Sequence, residues 1–261
     1  GNESGGWVSN QTSFMLLQQL IPRIDLPMWI QGGIGLNTAP GCFAAGAAGV
    51  VLDGQLLLAK ESPLTEDHKS AVAKLNKMDT VCLGEEIERA FRFYAVPPTI
   101  VRELEDTLLS LLADRDSDSP DPATLWQNSI PDFLTNTPQS EIFWPLSQDA
   151  VFADSLAQRF QTVGGIFKAF HRACADNIQT AKSTVPLKAG SSLAQAHGTK
   201  YPVVQGPMTW VSDIPSFVSE VAASGALPFL AIGLKRGRVL SDLLAQTREK
   251  LADRSWGVGI L

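Results

Sequence analysis

At 261 residues, 44% of them hydrophobic, the chain is long enough to bury a large core, either as one barrel-sized domain or as two smaller ones. A net charge of -6 with no basic stripe argues against nucleic acid or an anionic membrane surface as a partner, and no apolar run approaches the ~20 residues of a membrane span. The three cysteines, Cys42, Cys82 and Cys174, contain no CxxC pair, and the opening GNESGGWVSN has neither the basic nor the apolar part of a signal peptide, so a cytoplasmic protein is expected.

In chain order, residues 1–11 read as a polar, glycine-rich loop and residues 12–20 as a helix with Phe14, Leu16, Leu17 and Leu20 facing inward, broken by Pro22. Residues 28–31 read as a short buried strand, Gly32-Gly33-Ile34-Gly35 as a tight loop, residues 38–47 as a helix of small side chains and residues 49–53 as a second apolar strand. Together they make one βαβ unit with a glycine-rich first turn. Without Cβ atoms at Gly32, Gly33 and Gly35, backbone N–H groups can approach an anion at which the following helix also points its positive end. A phosphate is the expected guest.

Beyond Pro63 the pattern turns helical: residues 66–75, 85–94 and 99–113 are read as amphipathic helices, and an all-helical middle is expected from about residue 66 to 180. The acidic run DRDSDSPD at 114–121 reads as an exposed connector, and residues 120–145 as irregular chain bearing proline and tryptophan. Residues 147–180 return to a helical pattern interrupted at Gly164-Gly165, with Phe160, Phe167 and Phe170 at helical spacing as core candidates. From Tyr201 strands and helices alternate: strands at 202–205, 226–232 and 256–261, and helices at 214–224, capped by Asp213, and 239–252. That alternation predicts a parallel sheet with helical crossovers, and both chain ends are expected to fall inside domains.

Several of these segments resemble one family. Pro202-Val203-Val204-Gln205-Gly206-Pro207-Met208 looks like the first strand and loop of the FMN-dependent barrels of the nitronate monooxygenase and flavin enoyl reductase family. Glu3-Ser4-Gly5-Gly6, the Gly32-Gly33 loop, Gly49-Val50-Val51-Leu52 and Lys60-Glu61-Ser62-Pro63 resemble its last third. The strings ESGGW, QGGIG, VVLDGQL, KESPL, WPLSQDA, GPMT and WGVGIL resemble the N-terminal region of large polyketide-synthase-like proteins. In those, the end of one barrel is followed by an insert and the start of a second.

The resemblance implies an α/β chain: partial (β/α)8 TIM-barrel elements at both ends and an all-helical insert between them. Its segments would be 1–64, the C-terminal part of a flavin-type barrel; 65–190, the insert; and 191–261, the N-terminal part of another. With about five or six strands read, too few for eight, the chain is expected to self-associate, to pair with the rest of a parent protein, or to bring residues 49–53 beside 202–205.

Carried over residue by residue, the resemblance places Gly32, Gly33 and Gly54 at the flavin phosphate, with Asp53 where the family has glycine. Gln205, Gly206, Pro207 and Met208 would lie against a flavin ring. Trp7 stands where the family carries its histidine, so no catalytic residue is assigned, and His68, His171 and His197 do not replace it. The implied activity is FMN-dependent reduction of an enoyl thioester in a polyketide or fatty acid megasynthase, with NAD(P)H as reductant and an acyl thioester or acyl carrier protein as partner. A nitronate-type oxidase and a non-catalytic scaffold are the alternatives. Weak or absent FMN binding by this chain alone is expected.

Overall fold

In the computed structural model, which describes residues 3–75, 79–113, 120–137 and 142–260, the chain divides into two units, Gly1–Gln179 and Thr180–Leu261. In the first, α1 (Ser13–Leu20) begins where the Thr12 hydroxyl accepts the Met15 N–H, and it buries Ser13 and Leu17 while leaving Phe14 and Leu20 exposed. The expected βαβ unit follows as β1 (Trp29–Ile30), α2 (Thr38–Ala44) and β2 (Gly49–Val50), with the strands parallel and Trp29 opposite Gly49. Gly49 is needed there, since a Cβ would lie 2.5 Å from the Trp29 ring. Ile30, Ile34, Ala39 and Cys42 form the core of this unit with Leu156, Ile166 and Phe170 from later helices.

The middle of the chain is not all helical. After α3 (Glu66–Ala73), β3 (Val81–Leu83), β4 (Phe91–Val96) and β5 (Ile142–Pro145) form an antiparallel sheet in the order β3-β4-β5, with α4 (Thr99–Ala113) and α5 (Pro122–Asn136) between the last two strands in sequence. The helix expected over 85–94 fails for two reasons. Gly84 and Glu88 have φ of 89° and 56°, which confine the helical signal of Glu85-Glu86-Ile87 to one 3-10 turn. Phe91, Phe93 and Ala95 then alternate with Arg92 and Tyr94 at the two-residue period of a strand, with both phenylalanines buried.

The stretch expected to be irregular holds α5, whose Asp121 cap accepts the Thr124 N–H, and β5; residues 114–119 of the acidic run lie outside the described residues. Helix α4 matches its expected span and presents Ile100, Leu104 and Leu108 to the sheet's core of Phe91, Phe93, Trp126, Ile130 and Phe143. The unit closes with α6 (Ala153–Phe160) and α7 (Val163–Thr184). The break between them is at Gln161, with φ 60°, and not at Gly164-Gly165, which lie in the first turn of α7. Phe170 is core and Phe160 packs against it, but Phe167 is half exposed.

The second unit contains α8 (Ser192–Ala196), β6 (Val204–Gln205), α9 (Pro215–Ala223), β7 (Leu227–Ala231), α10 (Gly237–Leu251) and β8 (Gly257–Gly259). Its strands are parallel in the order β6-β7-β8, as the alternation predicts, around Val218, Leu230 and Leu251. Asp213 does not cap α9: the cap position is Ile214, and the Asp213 carboxylate pairs with Lys235 at 3.1 Å. Each of the three sheets among the described residues lies within one unit. No helix among the described residues is long and apolar enough to cross a membrane.

Candidate functional site

The glycine loop between β1 and α2 turns through left-handed conformations at Gly32 and Gly33, φ 88° and 70°, which side chains other than glycine rarely adopt. This geometry exposes consecutive N–H groups, and those of Ile34 and Gly35 have partners from the chain itself. The Gly35 N–H donates to Thr38 Oγ1 at 2.7 Å, and that hydroxyl donates to the Gly33 carbonyl at 2.6 Å. The Ile34 N–H donates to Asp149 Oδ2 at 3.3 Å.

The side chain of Gln55, wholly buried, ties the loop together: its Nε2 donates to the Ile34 carbonyl at 2.8 Å and to Asp149 Oδ2 at 3.1 Å, while its Oε1 accepts the Asp53 N–H at 2.8 Å. Asp53 accepts from Gln31 Nε2 at 2.9 Å and from the Gly54 N–H at 2.5 Å.

Asp149 comes from the turn that follows β5, and this turn meets both glycine segments. A Cβ on Gly54 would lie 2.9 Å from the Ala150 nitrogen, so this glycine serves the close approach of the turn. The turn is held independently, because the Gln148 N–H donates to Glu3 Oε2 at 2.6 Å and Glu3 Oε1 accepts from Arg92 Nε at 3.0 Å. Asp149 is 3% exposed. Burial lifts its pKa to about 6, the negative charges of Asp53 and Glu3 add to the rise, and the Ile34 and Gly33 N–H groups oppose it.

A flavin phosphate does not fit this arrangement. The Ile34, Gly35 and Gly54 N–H groups already serve Asp149, Thr38 and Asp53, and a dianion there would lie beside the Asp149 and Asp53 carboxylates, where like charges repel by several kcal/mol at roughly 4 Å. A neighbouring cleft of about 290 Å³ does place Arg159 near Gly33, Gly35 and Thr38. Another, of about 380 Å³, lies beside Gly5, Gly6, Gln31, Asp53 and Gly54 and includes Ser147, whose buried hydroxyl has no hydrogen-bond partner among the described residues.

Trp7 is a packing residue: its ring meets Phe91 edge-on with centroids 4.9 Å apart, and its backbone bridges to that strand. His68 bonds Thr65 Oγ1 through Nδ1 at 2.7 Å, His197 ends α8, and His171 lines an apolar cavity of about 610 Å³ with Trp29, Phe167 and Cys174.

Thus Gly32, Gly33, Asp53 and Gly54 come together in the first unit. Gln205, Gly206, Pro207 and Met208 come together in the second, where the Gln205 side chain both accepts from the Phe229 N–H and donates to its carbonyl, each at 3.3 Å, and the Met208 N–H donates to Ser212 Oγ at 2.8 Å. Asp149, Gln55 and Glu3 were missed as site residues. The available signal was a lone carboxylate in the string WPLSQDAVF and a glutamine within DGQLLL, polar groups set in apolar sequence.

No protein-family model matches the chain, and no curated protein matches it. The α/β fold does have a solved counterpart. FabK from Thermotoga maritima is 18% identical with a TM-score of 0.54, over 70% of this chain and 55% of that one; a mutant form of it gives 19%, 0.48, 70% and 53%. The chain thus spans about half the length of the FabK it resembles, and the likeness is one of fold.

Proposed function

We infer that this chain is a non-catalytic scaffold or docking module built on flavin enoyl reductase-type barrel elements within a larger synthase. One observation carries the reading: the chain's own carboxylate, Asp149, is bonded to the glycine loop through the Ile34 N–H, where it would oppose a ligand phosphate. Trp7 adds to it, since an indole in a hydrophobic contact with Phe91 exchanges no proton near neutral pH. The partners of such a module are the remaining barrel segments of its parent protein and an acyl carrier protein or acyl thioester delivered there. The purified chain is expected to be colourless, without a flavin absorption band, and to oxidise neither NADH nor NADPH when given a short enoyl thioester. A yellow preparation with substrate-dependent NAD(P)H oxidation would refute it.

A second reading, FMN-dependent enoyl thioester reduction, is favoured by the fold likeness to FabK and by the cleft in which Arg159 could balance a phosphate charge near Gly33. It requires the phosphate to bind on the Arg159 side of the loop, and it predicts that replacing Arg159 by Ala abolishes flavin uptake. A nitronate-type oxidase has the weaker case, because the missing imidazole is the base that chemistry needs.

A further inference from the structure

The turn at residues 147–150 does at the glycine loop what a bound oxyanion would do. Two donors converge on one carboxylate oxygen: the Ile34 N–H at 3.3 Å and the Gln55 side-chain amide at 3.1 Å. Both belong to buried residues, with Ile34 and Gln55 fully buried and Asp149 nearly so. We propose that Asp149 is a built-in surrogate for a ligand phosphate, a resident anion that keeps the loop folded without a cofactor, and that the space it fills accepts inorganic phosphate or a phosphate monoester once the carboxylate is removed. The proposal deepens the non-catalytic reading above and rests on it.

Three features support an occupant that can be exchanged and not a simple packing residue. The turn is anchored without Asp149, through Gln148 and Ala150, so truncating that side chain leaves the turn in place. The neighbouring carboxylates have partners of their own: Glu3 is paired with Arg92, and Asp53 accepts from Gln31 and Gly54. Removing the Asp149 side chain therefore leaves the buried Ile34 N–H without its acceptor, takes one of two acceptors from the Gln55 amide, and takes away the anion nearest to them. Buried donors without acceptors are costly, and an oxyanion is a group that satisfies both.

The test uses the full chain with inorganic phosphate as probe. Asp149→Ala and Asp149→Ser are compared with the wild type by calorimetric titration, and by thermal unfolding in phosphate against chloride at equal ionic strength. The serine variant is the milder one, since its hydroxyl still accepts one N–H. Both variants are expected to melt below the wild type in chloride, to regain stability in phosphate, and to bind phosphate at least tenfold more tightly than the wild type. Asp149→Asn, which fills the same space without charge, is expected to gain nothing. A folded Asp149→Ser variant with phosphate affinity within twofold of wild type would overturn the proposal, as would an Asp149→Asn variant that gains as much as Asp149→Ala. The outcome is separable from the scaffold reading: FMN binding by the wild type defeats that reading, whereas phosphate-blind variants of a wild type that also ignores FMN defeat only the surrogate.

Discussion

Neutralising Asp149 in place has a consequence for stability whose size follows from its surroundings. The folded-state pKa of about 6 lies above the ordinary value of 3.8, so the native state holds this proton more tightly than the unfolded chain does. The stabilisation from protonation is complete below about pH 4 and is lost as pH rises through about 6; at neutral pH the ionised carboxylate costs about 3 kcal/mol relative to its protonated form, at ~1.4 kcal/mol per pH unit.

Asp149→Asn carries no titrating group at this position, so comparing the two proteins isolates the contribution of the Asp149 carboxyl. Urea unfolding followed by tryptophan fluorescence at pH 7.5 and pH 4 is the assay, with Trp126 and Trp144 reporting on the first unit. From pH 7.5 to pH 4 the wild type is expected to gain about 2.4 kcal/mol relative to Asp149→Asn, with the change concentrated between pH 6 and pH 4. A difference between the two proteins that stays constant within about 0.5 kcal/mol across that range would refute the reasoning.

Gly84→Ala places a Cβ 2.5 Å from the Arg89 carbonyl oxygen and 2.6 Å from Trp126 Nε1 at a φ of 89°, so a loss of roughly 2–4 kcal/mol is expected in urea unfolding, with the Trp126 to Arg89 hydrogen bond of 2.9 Å disturbed. Trp7→His restores the imidazole that the family resemblance implies but removes the edge contact with Phe91. It is expected to cost about 1–2 kcal/mol of stability and to confer no NAD(P)H oxidation on an enoyl thioester, as followed by absorbance at 340 nm.

The βαβ unit at Gly32-Gly33 and the parallel units after Tyr201 were legible because their signals are local: glycines at a turn, small residues in the next helix, apolar runs of strand length. The antiparallel sheet was not. Its central strand, Phe91–Val96, alternates cleanly, but it follows Glu85-Glu86-Ile87-Glu88, good helix formers whose continuation is stopped by left-handed backbone at Gly84 and Glu88. Its partner β5 is four residues long, ends in proline, and lies across α4 and α5 in sequence, so the pairing that stabilises both strands is a long-range fact.

The site divides in the same way. The glycine loop was legible, whereas its occupant was not, because Ile34 and Asp149 are 115 residues apart and nothing in either neighbourhood names the other. Trp7 could be recognised as a departure from the family pattern, but its role in the sheet's core depends on Phe91, itself assigned to the wrong element.

Titration of the full chain with FMN, followed by quenching of flavin fluorescence, tests the central claim most directly. With Asp149 bonded to Ile34 and Gln55 and with Trp7 packed on Phe91, the account predicts no saturable binding at or below about 1 μM flavin. Saturable one-to-one binding in that range, worth roughly 8 kcal/mol, would contradict it, because a flavin phosphate could then displace or coexist with the carboxylate that fills the loop.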